Sequence, residues 1–170
     1  YQRLFDRCAQ GGVKILVAHP GNAVPPDAER DDYMKSSIEH MTVLTEKCKD
    51  FGLTLAVENM PNGLCRVASE AARFLEEIPD LRFCFDTNHL LRDSHELFIK
   101  TVGPRLVTTH VSDYDFVTEK HWFPLRGQID WRNVQGCLED VDYNGPLVYE
   151  VRFSGETWED VRPNHELLKD

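Results

Sequence analysis

The sequence predicts an α/β protein made of about the last five units of a (β/α)8 barrel, and three observations lead there. Short, nearly continuous apolar runs alternate with helical patterns, the repeat is roughly 30 residues, and almost every run ends in a residue able to ligate metal or move protons. The runs are VKILVAH at 13–19, LTLAVEN at 53–59, LRFCFDTNH at 81–89, RLVTTHVSD at 105–113 and PLVYEVRF at 146–153. Each is too short for a helix and rich in β-branched residues, as expected of a strand buried on both faces.

The elements between the runs follow in order. Tyr1–Gln10 reads as the tail of a helix whose preceding strand the chain does not contain. From Asp32 to Phe51, Met34, Ile38, Met41, Leu44, Cys48 and Phe51 recur at three- and four-residue spacing, and Gly52 is placed to end the helix. Ser69 to Ile78 repeats the scheme with Ser69 as N-cap, and Ser94 to Val102 does so again before Gly103-Pro104. Asp130 caps a helix carrying Trp131, Val134, Leu138 and Val141, which ends near Asn144-Gly145. No linker or charge block divides the chain, so residues 1–170 read as one domain. Alternating strands and helices imply parallel strands and right-handed crossovers. A closed barrel needs eight strands, so this is a partial one.

Composition narrows the function. The 170 residues are 41% hydrophobic and 28% charged, ordinary for a soluble protein. No run approaches the roughly 18 apolar residues of a membrane span, and Tyr1 opens a polar segment without a signal-peptide pattern. A net charge of −10 argues against nucleic acid as a partner, because phosphate binding draws on Lys and Arg. Five scattered cysteines, never in a CxxC pair, read as reduced thiols of a cytoplasmic protein.

The strand ends carry the chemistry. His19 ends the first run, Glu58 the second, Asp86 and His89 the third, His110 and Asp113 the fourth, and Glu150 the fifth. In parallel α/β folds the C-terminal strand edge is where active sites form. Each residue has a structural alternative: Glu58 a turn cap, Asp86 a helix N-cap, His110 a hydrogen-bonded core histidine. Four in one topological position are harder to explain singly. Three carboxylates converging on one imidazole repel one another unless a cation joins them. One divalent ion held by Glu58, Asp86, His110 and Glu150 satisfies the set, and Mn²⁺, Mg²⁺, Co²⁺ and Zn²⁺ all suit it.

The motifs HPGN at 19–22, ENMPNG at 58–63, DTNH at 86–89, HVSD at 110–113, HWFPLRGQIDW at 121–131 and YEVR at 149–152 appear in the order seen in xylose isomerase-like TIM barrels, which this chain resembles along nearly its whole length. That superfamily holds sugar and sugar-phosphate isomerases and epimerases, inosose-processing enzymes and endonuclease IV-type apurinic endonucleases. The resemblance implies that Glu58, Asp86, His110 and Glu150 ligate one catalytic metal. It also implies that Glu58 and Glu150 act as acid and base on opposite faces of a sugar. The metal would hold two substrate oxygens, polarise the carbonyl and stabilise the enediolate. His89 would bind substrate hydroxyls or the carbonyl oxygen, and His19, Asn59, His121 and Arg152 are further substrate-side candidates, with His19 alternatively a turn residue and Asn59 alternatively orienting Glu58 or bonding the following turn. Arg152, two residues beyond Glu150, could meet a substrate oxygen or phosphate, or form an ion pair with a site carboxylate.

The loop after His121 departs from the superfamily pattern. Leu125 stands where glycine is common, and Arg126 where an acidic residue is common. The leading expectation is a metal-dependent isomerase or epimerase acting on a sugar or sugar phosphate. The apurinic endonuclease is the alternative with about three metals, since His19, His89 and His121 match its extra histidines and Glu119 stands where its extra aspartate is expected. An inosose dehydratase-like lyase would use nearly the same ligands, and a barrel-derived binding protein would keep the site without turnover. A partial barrel also exposes sheet edges, so a homo-oligomer remains an option.

Overall fold

The structure, a computed structural model, describes residues 2–21 and 27–168. Tyr1 of the first predicted helix and Asn22 of the HPGN motif lie outside the described residues. The elements run α1 (Gln2–Gln10), β1 (Ile15–Ala18), α2 (Arg30–Asp50), β2 (Thr54–Glu58), α3 (Ala68–Glu77), β3 (Arg82–Asp86), α4 (His95–Val102), β4 (Leu106–Val111), α5 (Trp131–Asp140), β5 (Leu147–Tyr149) and α6 (Trp158–Leu167). All five strands pair in parallel in the order β1-β2-β3-β4-β5, half of a barrel wall with helices along one face.

Every predicted strand forms, but with unequal burial. β2 and β3 are buried after their first residues and β4 nearly so, as their apolar runs require. β1 and β5 are not buried on both faces: β1 is half-buried throughout, and Val148 in the middle of β5 is 41% exposed. They are the two edges of the sheet among the described residues, so each has a neighbour on one side only.

Helix positions follow from local chemistry, with one correction. Ser94 caps α4 by accepting from Leu97 N (3.1 Å), and Asp130 caps α5 by accepting from Asn133 N (3.0 Å). Gly52 follows α2 with φ +65°, a conformation that costs glycine little. Ser69, however, is not the cap of α3. Val67 holds the N-cap position, and Asp93 Oδ2 accepts from Ala68 N (2.6 Å) across the chain. A carboxylate from a distant loop does what a local hydroxyl was expected to do. The chain after Arg152 also builds α6, whose capping box joins Thr157 and Asp160.

The sheet sorts its side chains by alternation. Phe83 and Phe85 face the helices and pack on Phe98 of α4, tilted and stacked respectively, at centroid distances of 5.6 and 5.8 Å. Cys84 and Asp86 therefore face the other way, toward the barrel interior. The parallel register sets Glu58 beside Cys84 and Asp86 beside His110. Glu150 lies one residue past β5, and its N–H donates to Val111 O (3.2 Å), continuing the ladder. The fold thus delivers the strand tips to one edge.

Candidate active site

Four of those tips converge. One ligand atom from each of Glu58, Asp86, His110 and Glu150 lies within 4.8 Å of all the others. His110 Nδ1 is 2.8 Å from Glu58 Oε1, 2.8 Å from Glu150 Oε2 and 3.9 Å from Asp86 Oδ2. One imidazole nitrogen facing three carboxylates cannot hydrogen-bond to all of them.

Asp86 shows the imbalance most sharply. It is fully buried; Oδ1 accepts from Asn88 N (2.7 Å), capping the short turn Thr87–His89, whereas Oδ2 has no hydrogen-bond partner. A buried carboxylate oxygen left without a donor is costly. The N-cap reading of Asp86 thus holds for Oδ1, and Oδ2 is left without a donor. Three carboxylate oxygens, one of them the unpartnered buried Asp86 Oδ2, and one imidazole nitrogen fit a divalent cation.

The titration behaviour has the same origin. Burial and then the neighbouring Glu58 charge push the Asp86 carboxyl well above the ordinary range. Burial works in the same direction on Glu58, but the hydrogen bond and charge of His110 outweigh it and hold that carboxyl low. Glu150 is lowered chiefly by its hydrogen bond to His110. His110 itself is raised far above a free imidazole: burial opposes this, and its contacts with Cys84, Glu150 and Glu58 overcome it.

The other predicted residues fall into distinct places. His19 is half-exposed, with Nε2 3.1 Å from Glu58 Oε2. His89 is buried; its Nδ1 hydrogen-bonds Asn59 O (2.8 Å) and lies 3.5 Å from Asp86 Oδ2. His121, at φ +54°, sets Nδ1 3.0 Å from Glu150 O and Nε2 2.6 Å from Glu119 Oε1. His89, Glu119 and His121 form a second group of ligand atoms within 4.8 Å. Arg152 is exposed, and its N–H donates to His121 O (2.8 Å).

Asn59 does not line an open pocket. It is fully buried, and its amide donates to Asp86 O (2.9 Å) and accepts from Asp86 N (2.8 Å). It holds the main chain of a ligand candidate instead of facing a substrate. Asp113 likewise faces away from the ligand group. Its Oδ1 accepts from Tyr114 N (2.9 Å) and Ile129 N (3.1 Å), and its Oδ2 from Leu125 N (3.0 Å) and Trp131 Nε1 (2.9 Å). Cys84 was absent from the sequence reading of the site, yet it groups with Glu58 and His110. Its position two residues before Asp86 on one strand was the available signal.

A model of the family described as xylose isomerase-like TIM barrel matches residues 1–170. D-psicose 3-epimerase of Ruminiclostridium cellulolyticum is 27% identical over 148 residues, which cover 78% of this chain and 48% of that one. The structure of 3-keto-D-glucoside 4-epimerase, YcjR, from E. coli superposes with a TM-score of 0.80 at 18% identity, over 99% of this chain and 68% of that one. IOLI protein, solved with a binding zinc atom, gives a TM-score of 0.79 at 18% identity over 99% of this chain and 66% of that one. The chain spans about half the length of the curated relatives it matches. At such identities the structural likenesses speak for the fold.

Proposed function

The chain belongs to the xylose isomerase-like TIM barrel family, and from that premise we propose that it carries the metal-and-acid/base half of a sugar or sugar-phosphate isomerase or epimerase. The observation that supports this most is the convergence of Glu58, Asp86, His110 and Glu150 around a buried carboxylate oxygen with no partner. These four residues would hold one divalent ion. When bound, that ion supplies Lewis-acid polarisation of a substrate carbonyl and neutralises developing negative charge.

The proton work falls to Glu58 and Glu150. Both carboxyls are held low by His110, so both are ionised and able to accept a proton near neutral pH. They reach the same centre from β2 and from the end of β5, on opposite sides of His110 in the sheet order. One carboxylate removes the proton on the carbon beside the carbonyl and later releases it to solvent, and the other, once protonated from solvent, delivers its proton to the opposite face or the neighbouring carbon. His89, buried and kept neutral chiefly by desolvation, can hydrogen-bond a substrate oxygen without adding charge. His19, 3.1 Å from Glu58, can hydrogen-bond a substrate oxygen from the solvent side. D-psicose 3-epimerase among the relatives agrees with this reaction class.

The test combines metal content and turnover in the intact protein. About one divalent ion per chain, epimerisation of a member of a ketose panel, and loss of turnover in both Glu58→Gln and Glu150→Gln are expected. Near-wild-type activity in either variant would sink the two-glutamate mechanism. The grouping of His89, Glu119 and His121 favours a second reading, an endonuclease with several metals, and about three zinc ions per chain with cleavage at abasic DNA would select it.

A further inference from the structure

We propose that the substrate carries a terminal oxyanion, a phosphate or a carboxylate, and that Arg152 is the residue that receives it at the mouth of the site. This rests on the isomerase reading above and specifies its substrate class. Arg152 borders a hollow of about 280 Å³ together with Trp122, Arg126 and Glu156.

Backbone geometry ties this hollow to the ligand group. Glu150 N donates to Val111 O (3.2 Å) and Arg152 N to His121 O (2.8 Å). The acceptors lie in different segments, Val111 at the end of β4 and His121 at the start of the loop motif, and His121 in turn sets Nδ1 3.0 Å from Glu150 O. Glu150 itself reaches His110 at 2.8 Å. Arg152 thus stands two residues past a ligand candidate, tied by its main chain to His121 and bordering the hollow with its side chain.

Charge selects what binds there. The ligand group holds three carboxylates in a chain of net charge −10, so an anionic substrate needs a local cation to approach. Arg126 is engaged by Glu156 (3.4 Å), and Glu156 is further occupied by Ser154 N (2.9 Å). Among the described residues, no carboxylate pairs with Arg152, although carboxylates outnumber bases in the chain. A planar guanidinium left without a carboxylate matches phosphate or carboxylate in two-pronged geometry. Trp122 supplies an apolar wall for the carbon chain between the two ends.

The test uses the intact metal-loaded protein and three ketoses of the same carbon skeleton: neutral, terminally phosphorylated and terminally carboxylated. One anionic member should exceed the neutral ketose in kcat/KM by at least tenfold, and its identity names the oxyanion. Arg152→Ala should lower kcat/KM for that member by about 10- to 100-fold, mostly through KM, and lower it for the neutral ketose by a clearly smaller factor. Arg152→Lys should recover part of the loss, and added salt should raise KM for the anionic member alone. Equal preference for all three, or equal losses in Arg152→Ala, would overturn the subsite while leaving the isomerase reading intact. Binding of the phosphorylated ketose to Glu150→Gln, measured by calorimetry, separates the two ideas. Arg152-dependent binding with no turnover of any ketose by the wild type would uphold the anion subsite and reject the isomerase chemistry.

Discussion

Asp113→Asn should cost about 4 kcal/mol of stability, although it changes one oxygen to nitrogen in a residue outside the ligand group. The wild-type carboxylate is fully buried and accepts four N–H groups, two on each oxygen, from Tyr114, Ile129, Leu125 and Trp131. These donors come from both ends of the long segment between β4 and α5, so the carboxylate is the knot around which that segment winds. Asparagine keeps one oxygen and its two bonds, now without charge assistance. Its NH₂ faces the other two donors. Hydrogen bonds to charged groups contribute about 1.5–3 kcal/mol each, so losing two gives roughly 3–6 kcal/mol before the structure relaxes. The assay is urea denaturation of the intact protein followed by tryptophan fluorescence, since Trp131 is itself one of the donors. A loss below about 1 kcal/mol would refute the reasoning. Gly127→Ala attacks the same knot from the other side, because a Cβ there collides with Asp113 Oδ1 and the Tyr114 main chain. It should cost at least 1–3 kcal/mol through overpacking, read in the same assay.

Three further outcomes follow from the site and its surroundings. Asn59→Ala strands the buried N–H and C=O of Asp86, so we expect about 2–4 kcal/mol lower stability and roughly tenfold or more weaker metal binding in a calorimetric titration; unchanged affinity would contradict a positioning role. His95 is buried against Phe85 and Tyr114, hydrogen-bonds Thr87 O, and is held below the ordinary imidazole range, chiefly by desolvation. Below about pH 6.5 the unfolded chain gains a proton that the folded chain refuses, so stability falls with pH by up to about 1.4 kcal/mol per unit until the folded pKa is reached. The cost of His95→Gln should therefore be smaller at pH 5.5 than at pH 7.5, and a cost independent of pH would remove this account. Finally, chelating the divalent ion should lower the melting temperature of the intact protein. At a free metal concentration 100 times Kd the lost stabilisation is about 2.7 kcal/mol, and Glu150→Gln should shrink it.

Much of the fold was legible because its signals are local. Apolar runs such as LTLAVEN and RLVTTHVSD need only their own residues to be recognised as buried strands, and Ser94 and Asp130 sit immediately before the helices they cap. The one misplaced cap shows the limit: Asp93, 25 residues from Ala68, supplies the acceptor expected of Ser69. The helix after Thr157 went unread because its apolar spacing is weak and none of its residues is buried.

The site divides along the same line. By itself, the sequence determined that Glu58, Asp86, His110 and Glu150 stand at strand ends, because parallel strands place their C-terminal tips along one edge. Only the tertiary structure decided what each tip touches. Asp113 occupies the same kind of position as Asp86, yet four N–H groups consume it while one Asp86 oxygen is left without a partner. Asn59 turns from the pocket to the Asp86 main chain, and Cys84 comes to lie beside His110. Those outcomes depend on donors brought from tens of residues away, and hydrogen bonds at that separation leave no periodic trace along the chain.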